Sequence, residues 1–350
     1  MQEPCVSIIT PLFNKEKYIL STINSVISQS YNNWEYIIVD DHSTDASYKI
    51  ASDNSITDNR ILLVKRTGSS KGTQVCRNEG MDKSRGEYLV FLDADDCLAH
   101  DCIKSRVNYL QNNPELDFAV FLQRVFHNNP EDSKYLVNTW DSSSSDITRF
   151  LQFTHNIDVP WLNTSPIWKK ASLLNNNIYW DESVLVYQDV AFHLSALLSG
   201  MQYHKVKKVD CYWRRGLEDN LGKSIRSTES LLSTYDMLIN ILETIGSEGL
   251  LTSERRRLIK QSYYYIIVNL IYYNRYHDKI TSKEVLVKHG IVDDKPCSLA
   301  MVEYIMKRFS PYPRVNKFVK NLALFLLLEK YKWLYGKRTY KFARVALENL

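Results

Sequence analysis

Short apolar runs alternate with segments of helical periodicity over the first 125 residues, and this alternation limits the chain to few architectures. The runs are VSIIT (6–10), EYIIVD (35–40), ILLVK (61–65), EYLVFLD (87–93) and FAVFL (118–122). Helices are expected between them, over 15–29, 46–54, 73–84 and 100–112. In the first, Tyr18, Ile19, Ile23, Val26 and Ile27 fall at helical spacing, with Asn14 read as the N-cap. This rhythm predicts an α/β fold: a mostly parallel sheet with helices on both faces. In such sheets ligands bind outside the carboxyl ends of the strands.

Acids collect at two of those ends. VDDHSTD carries Asp40, Asp41 and Asp45; LDADD carries Asp93, Asp95 and Asp96. Like charges this close repel unless a cation or hydrogen-bond donors offset them. Two readings stay open: solvated turns, or oxygen ligands for a hard ion, Mn²⁺ or Mg²⁺, that in turn holds a diphosphate.

Several classes are excluded. No GxGxxG follows the first strand, and GLEDNLGKS (216–224) has one residue too many between its glycines for a phosphate-binding P-loop. The six cysteines form no CxxC pair and read as free packing thiols. The N-terminus lacks the pattern of a signal peptide, and no run approaches about 18 apolar residues. The expectation is a cytoplasmic protein able to meet the inner face of a membrane. A length of 350 residues suggests two domains. The pattern turns purely helical near residue 227, which places the boundaries at 1–226 and 227–350, with helices expected as far as 347 and a tyrosine-rich stretch at 263–278 that packs a bundle. Residues 301–350 carry 11 Lys/Arg and 3 Asp/Glu, a balance of +8 against −4 for the remainder. Within them, 315–347 interleave bases with Phe, Leu, Trp and Tyr, as a packed helix pair or as a contact with anionic membrane.

The stretches VSIITPLFNKEKYILSTINSVISQSYNNWEYIIVDDHSTD and VCRNEGMDKSRGEYLVFLDADD together resemble family-two inverting glycosyltransferases of GT-A fold, over about residues 5–97 and more weakly to about 215. The resemblance implies a bacterial-type, non-processive enzyme that moves a sugar from a nucleotide-diphosphate sugar, UDP-sugar favoured, to a glycan or lipid-linked acceptor. It implies no nucleic-acid partner. It also implies roles. Pro11, Phe13 and Asn14 would line the nucleotide pocket, and Asp41 would accept from the base or ribose. Lys71 and Arg77 would face the donor sugar or phosphates. Asp93 and Asp95 would form a DxD metal site for Mn²⁺ or Mg²⁺, with Asp93 and Ala94 also at the donor. Asp189, in VYQDVAFHL, would be the general base; a helix cap is its alternative. Apart from the resemblance, CYWRRG offers Arg214 or Arg215 as a phosphate clamp, with surface pairing as the alternative.

Three departures stand out. His42 replaces the Gly of the family's Asp-Asp-Gly-Ser, a substitution that a positive φ would tolerate. Gln188 stands where many members have Glu. No QxxRW occurs, which excludes a processive synthase. Rival readings are a phosphohydrolase, a nucleotidyltransferase and a non-catalytic nucleotide-sugar-binding scaffold.

Overall fold

The computed structural model describes residues 3–133, 135–137, 145–154, 160–215, 227–272 and 283–291. The P-loop near miss, the helices expected beyond 291 and the basic tail at 315–347 lie outside the described residues. The described residues fall in two compact units.

The first unit holds the described residues up to 137, then 160–183 and 188–215. Its strands are β1 (Val6–Leu12), β2 (Trp34–Asp40), β3 (Ile61–Lys65), β4 (Tyr88–Phe91), β5 (Cys97–Leu98), β6 (Phe118–Phe126), β7 (Tyr135–Leu136), β8 (Pro166–Lys169) and β9 (Tyr203–Arg214). They form one sheet in the order β3-β2-β1-β4-β8-β6-β9-β5, with β7 on β6. Pairing is parallel from β3 through β4. Beyond β4 only β6–β9 is parallel; β4–β8, β6–β8, β5–β9 and β6–β7 are antiparallel. The expectation of a mostly parallel sheet therefore holds for the first half and is corrected to a mixed sheet for the second. There β8 enters between β4 and β6 and runs against both, and β5 and β7 are two-residue strands that pair antiparallel.

Helices α1 (Ile19–Ile27), α2 (Ser47–Thr57), α3 (Thr73–Lys83) and α4 (Cys102–Asn112) connect the early strands; α5 (Asp146–Phe150), α6 (Lys170–Asn175) and α7 (Gln188–Leu198) follow. The N-cap reading of Asn14 is corrected. Helix α1 opens at Ile19 after Tyr18, without a side-chain cap. Asn14 sits at φ +48°, and its carboxamide oxygen accepts from the Thr44 amide at 2.8 Å, so it ties two loops together instead.

Strands β1 and β2 are buried throughout. Pro11 is accommodated because the β1–β4 register ends at Ile9↔Phe91, leaving no ladder bond for the missing N–H on that side. Two glycines set how closely the layers approach. A Cβ on Gly86 would stand 2.5 Å from the Ser7 amide nitrogen, and one on Gly80 of α3 would stand 2.4 Å from Ile9 Cγ2. Beneath the other half of the sheet, Arg106 of α4 and Asp210 of β9 form a fully buried bidentate pair at 2.7 and 2.8 Å. The remaining guanidinium nitrogen NH1 donates to the Pro166 carbonyl at 3.2 Å, so strand β8 is tied to the same pair.

The second unit holds residues 145–154, 184–187 and the described residues from 227 on. It contains α5 and helices Thr228–Ser247, Ser253–Tyr272 and Lys283–Lys288. Ser227 caps the first of these long helices, its hydroxyl accepting from the Ser230 amide at 3.0 Å. Arg255 donates to Thr148 at 3.1 Å and Ser145 at 2.9 Å, which binds α5 to this helical unit. Of the tyrosine-rich stretch, Tyr263 is buried near Tyr235, with ring centroids 6.3 Å apart.

Candidate active site

The two acidic strand ends meet different fates. At the end of β2 every carboxylate is occupied, by its own turn or by the loops beside it. Asp40 accepts from the Ser43 amide at 3.2 and 3.3 Å. Asp45 accepts from the Glu16 amide at 3.1 Å and the Ser47 amide at 2.9 Å. Asp41 pairs with Arg66 and accepts from the Gly72 amide at 2.9 Å. Arg66 in turn donates to the carbonyls of Gly68 and Ser70, so one guanidinium shapes the loop that leads into α3. Gly72 has φ +123°, a region that disfavours any side chain.

The β1 and β2 loops interlock. The Asn14 amide donates to Ser43 Oγ at 3.1 Å, Lys15 N to Ser47 Oγ at 2.6 Å, and the Ala46 amide to Glu16 at 2.9 Å. His42 adopts φ +63°, the positive value at which histidine replaces glycine at modest cost. Beside this frame Phe13 keeps 50% of its surface exposed.

The turn after β4 is built differently. Asp96 is buried, accepting from Thr164 Oγ1 at 3.1 Å and the Arg214 amide at 3.0 Å. Burial, with the charges of Asp95 and Asp93 added, holds its carboxyl well above the usual range. Asp93 and Asp95 point elsewhere. Asp93 accepts from Arg77 NH2 at 2.6 Å yet keeps 35% of its side chain exposed. Asp95 pairs with Lys15, Nζ to Oδ2, at 2.9 Å. Burial raises Asp95; Lys15 opposes that shift and Asp93 adds to it. Ala94 is buried, and its carbonyl accepts from Thr22 at 3.0 Å.

Helix α3 explains its Arg-Asn-Glu-Gly run residue by residue. Arg77 is buried, holds Asp93, reaches Gln188 Oε1 at 3.4 Å and lies 4.3 Å over the Trp180 ring. Asn78 brackets the Trp180 backbone, donating to its carbonyl at 2.8 Å and accepting from its amide at 2.9 Å. Gly80 permits the close approach to β1. Gln188 accepts from Thr73 at 2.5 Å and donates to Gln74 at 2.8 Å, so α7 is fastened to α3 at the turn that carries Asp189. Asp189 lies in the first turn of α7 and accepts from the Val190 amide at 2.9 Å. Burial raises its carboxyl; the Val190 amide and Arg77 lower it, and Asp93 raises it further.

The structure thus gathers Asp93, Asp95, Arg77 and Asp189 at one end of the sheet, with Phe13, Asn14 and Asp41 on the adjoining loops. Lys71 is exposed on the loop before α3. The clamp role for Arg214 is corrected. It is buried and donates to the carbonyls of Asp95 at 2.8 Å and His127 at 3.1 Å and to Ser21 Oγ at 2.9 Å, which makes it a brace for the β4 turn. Arg215 is exposed and lies 4.8 Å from the Trp213 ring. Sequence reasoning missed Lys15, Arg66 and the fastening role of Gln188. Nothing in spacing separates Lys15 from the exposed Lys17 two residues on.

The model of glycosyl transferase family 2 matches residues 7–172. The chain is 39% identical over 108 residues to the putative teichuronic acid biosynthesis glycosyltransferase TuaG of Bacillus subtilis, covering 31% of this chain and 42% of that protein. It spans less than half the length of several other curated relatives that it matches. Among solved structures, TarS 1–349 of S. aureus in complex with UDP-GlcNAc superposes with a TM-score of 0.59 at 17% identity, over 98% of this chain and 88% of that one. The mannosyltransferase PcManGT of Pyrobaculum calidifontis, in complex with GDP-Man and Mn²⁺, gives a TM-score of 0.50 at 16% identity, over 95% and 88%. A mixed α/β sheet of this order and a family match that runs from β1 through β8 into α6 agree: residues 7–172 belong to glycosyl transferase family 2, within a unit of GT-A fold.

Proposed function

We propose that this chain transfers a sugar from a nucleotide-diphosphate sugar, a UDP-sugar in the first instance, to an acceptor hydroxyl in glycan or polysaccharide biosynthesis, with inversion. One observation carries the reading. Within a family 2 unit, Arg77 joins Asp93, at 2.6 Å, to Gln188, at 3.4 Å and next in sequence to Asp189, so that the charges of Arg77 and Asp93 both act on Asp189. A donor-side carboxylate and a candidate base therefore share one site. The names of two relatives support the substrate class: one is assigned to teichuronic acid biosynthesis, the other holds UDP-GlcNAc.

The chemistry follows from need. The acceptor oxygen forms a bond to the anomeric carbon as the bond to the diphosphate breaks, and the hydroxyl proton passes to the Asp189 carboxylate. A base so placed contributes roughly 10²–10⁴ in rate. Arg77 holds Asp93 and orients α7 through Gln188. Phe13 offers an exposed ring for a nucleobase to stack on.

The divalent ion implied by the family fits the donor set. Among the described residues no three acidic, His or Cys side chains gather as a metal cluster. Mg²⁺ and Mn²⁺ use only one or two carboxylates, completed by water and substrate phosphates. Asp93 and Asp95 supply two carboxylates on one turn, and Asp93 stays accessible. When bound there, the ion stabilises charge that develops on the leaving diphosphate.

The test is thermal shift of the full chain with nucleoside diphosphates and their sugars, with and without Mn²⁺, followed by transfer assays on the donor selected. Asp95→Ala is expected to abolish transfer and the metal-dependent part of the shift while the fold persists. Undiminished turnover in EDTA sinks the metal, and a chain that binds UDP but leaves every donor sugar intact with every acceptor sinks the transferase.

A further inference from the structure

We propose that Lys15 is a built-in counter-cation of the Asp93–Asp95 pair, competing with the divalent ion for Asp95, so that the free protein takes up metal weakly and only as the Lys15 ammonium leaves. This deepens the reading of Asp93 and Asp95 as metal-holding carboxylates and rests on it.

The ion pair is not of the ordinary surface kind. Lys15 Nζ lies 2.9 Å from Asp95 Oδ2, and the two side chains keep only 22% and 17% of their surface exposed. Exposed lysine–carboxylate pairs are loosened by solvent and salt; a sheltered pair is screened far less. The backbone that delivers the lysine is also fixed. Lys15 N donates to Ser47 Oγ at 2.6 Å, and its carbonyl accepts from the Tyr18 and Ile19 amides, both at 2.9 Å. Its neighbours Asn14 and Glu16 are bound to Thr44 and Asp45. The lysine stem therefore starts from a rigid corner between β1 and α1.

Asp93 already has Arg77 as its cationic partner. Asp95 has Lys15 in the corresponding role, and the difference lies in the cation. A guanidinium held in a buried fork, stacked on Trp180, is pinned. An ammonium on a four-carbon stem can swing away without moving the backbone. A divalent ion bonded to a carboxylate oxygen at about 2.1 Å takes the lone pairs that the ammonium uses, and two cations on one carboxylate repel. Lysine and metal thus compete for Asp95, whose Oδ2 the ammonium holds, and each weakens the other's hold. Until the metal arrives, the ammonium offsets the cost of a sheltered charge next to Asp93 and Asp96 and keeps the turn in place.

The measurement is a titration of Mn²⁺ into the full chain without nucleotide, with free ion read by electron paramagnetic resonance. Lys15→Met is expected to bind Mn²⁺ at least about tenfold more tightly than wild type, because the competing charge is gone. Lys17→Met should match wild type, and Lys15→Met combined with Asp95→Asn should lose the gain. If Lys15→Met binds no more tightly than wild type while Asp95→Asn still weakens uptake, the metal site stands and the role of Lys15 is overturned. If no form takes up Mn²⁺ even with UDP present, the metal reading falls and this proposal with it. A second measurement uses the wild-type chain alone, in case Lys15→Met does not fold. Brief acetylation followed by mass spectrometry should show Lys15 more reactive at saturating Mn²⁺, with Lys17 unchanged; equal or lower reactivity of Lys15 overturns the proposal.

Discussion

Asp189 is the base proposed above, and its surroundings make two outcomes checkable. Asp189→Asn keeps size and hydrogen bonding but removes the basic carboxylate. Transfer should fall by at least about 10²-fold with donor binding retained. Burial raises the carboxyl above the usual range in the fold. The activity of the native chain should therefore fail on acidification at a pH above that of an ordinary aspartate. The same shift has a sign for stability. The folded state binds this proton more readily than the unfolded chain, so stability declines as pH rises from the unfolded value through the raised folded one. Asp189→Asn should accordingly melt no lower than wild type at pH 7. Initial rates across pH and thermal melts settle both, and near-native activity would return Asp189 to the role of helix cap. At this scale the family motifs made Asp93, Asp95 and Asp189 legible. Lys15 and Gln188 were not, because the Lys15 ammonium meets Asp95, far along the chain, and Gln188 meets Thr73 and Gln74 more than 100 residues back.

At the scale of elements, α3 and α7 position the site, and each offers a test. Gly80→Ala places a methyl against Ile9, where its carbon would stand 2.4 Å from Cγ2. Alanine returns up to about 1 kcal/mol of helix propensity. Overpacking of a filled interior costs about 1–3 kcal/mol. A net loss of stability is expected in urea unfolding, together with a loss of transfer, since Arg77 rides on the displaced helix. On α7, His193 is buried, stacked on Trp168 with ring planes 8° apart, and burial lowers its pKa to about 3. The unfolded chain binds a proton below about 6.5 that the fold refuses, so stability is lost as pH falls through that value. Relative to His193→Phe, wild type should lose about 2 kcal/mol between pH 7 and pH 5. Equal losses in the two proteins would contradict this. Strands β1–β4 and β6 and helices α1–α4 were readable from the alternation of apolar runs with helical segments, and the short strands β5, β7 and β8 were not; nor was the N-terminus of α1, because Asn14 found a partner in the β2 loop rather than in its own helix.

At the scale of the whole molecule, charge is divided along the chain. The segment 301–350 carries +8 and the rest −4. Among the described residues no helix is long and apolar enough to cross a membrane. Of the two readings of 315–347, a packed helix pair or a contact with anionic membrane, we propose the second, in which each base would contribute on the order of 1 kcal/mol. The intact chain is expected to cosediment with vesicles containing anionic lipid at low salt and to release at high salt, while a chain ended after Ser310 stays in the supernatant. If both remain in the supernatant at low salt, the tail serves packing, and a lipid-linked acceptor loses its main support.

The alternation of strands and helices over the first 125 residues, the acidic ends of β2 and β4 and the family of residues 7–172 were determined in the sequence, because they depend on side-chain period and on motifs a few residues long. How each acid is engaged was decided only in the tertiary structure. Asp40, Asp41 and Asp45 look like Asp93 and Asp95 in one dimension, yet the first three are used by backbone amides and Arg66 to hold two loops together. Arg214, open in the sequence to a phosphate clamp or a surface pair, reaches Ser21, 193 residues away. The antiparallel half of the sheet is of the same kind. Such pairings depend on which surfaces meet after the chain has folded back, and no local propensity encodes that meeting.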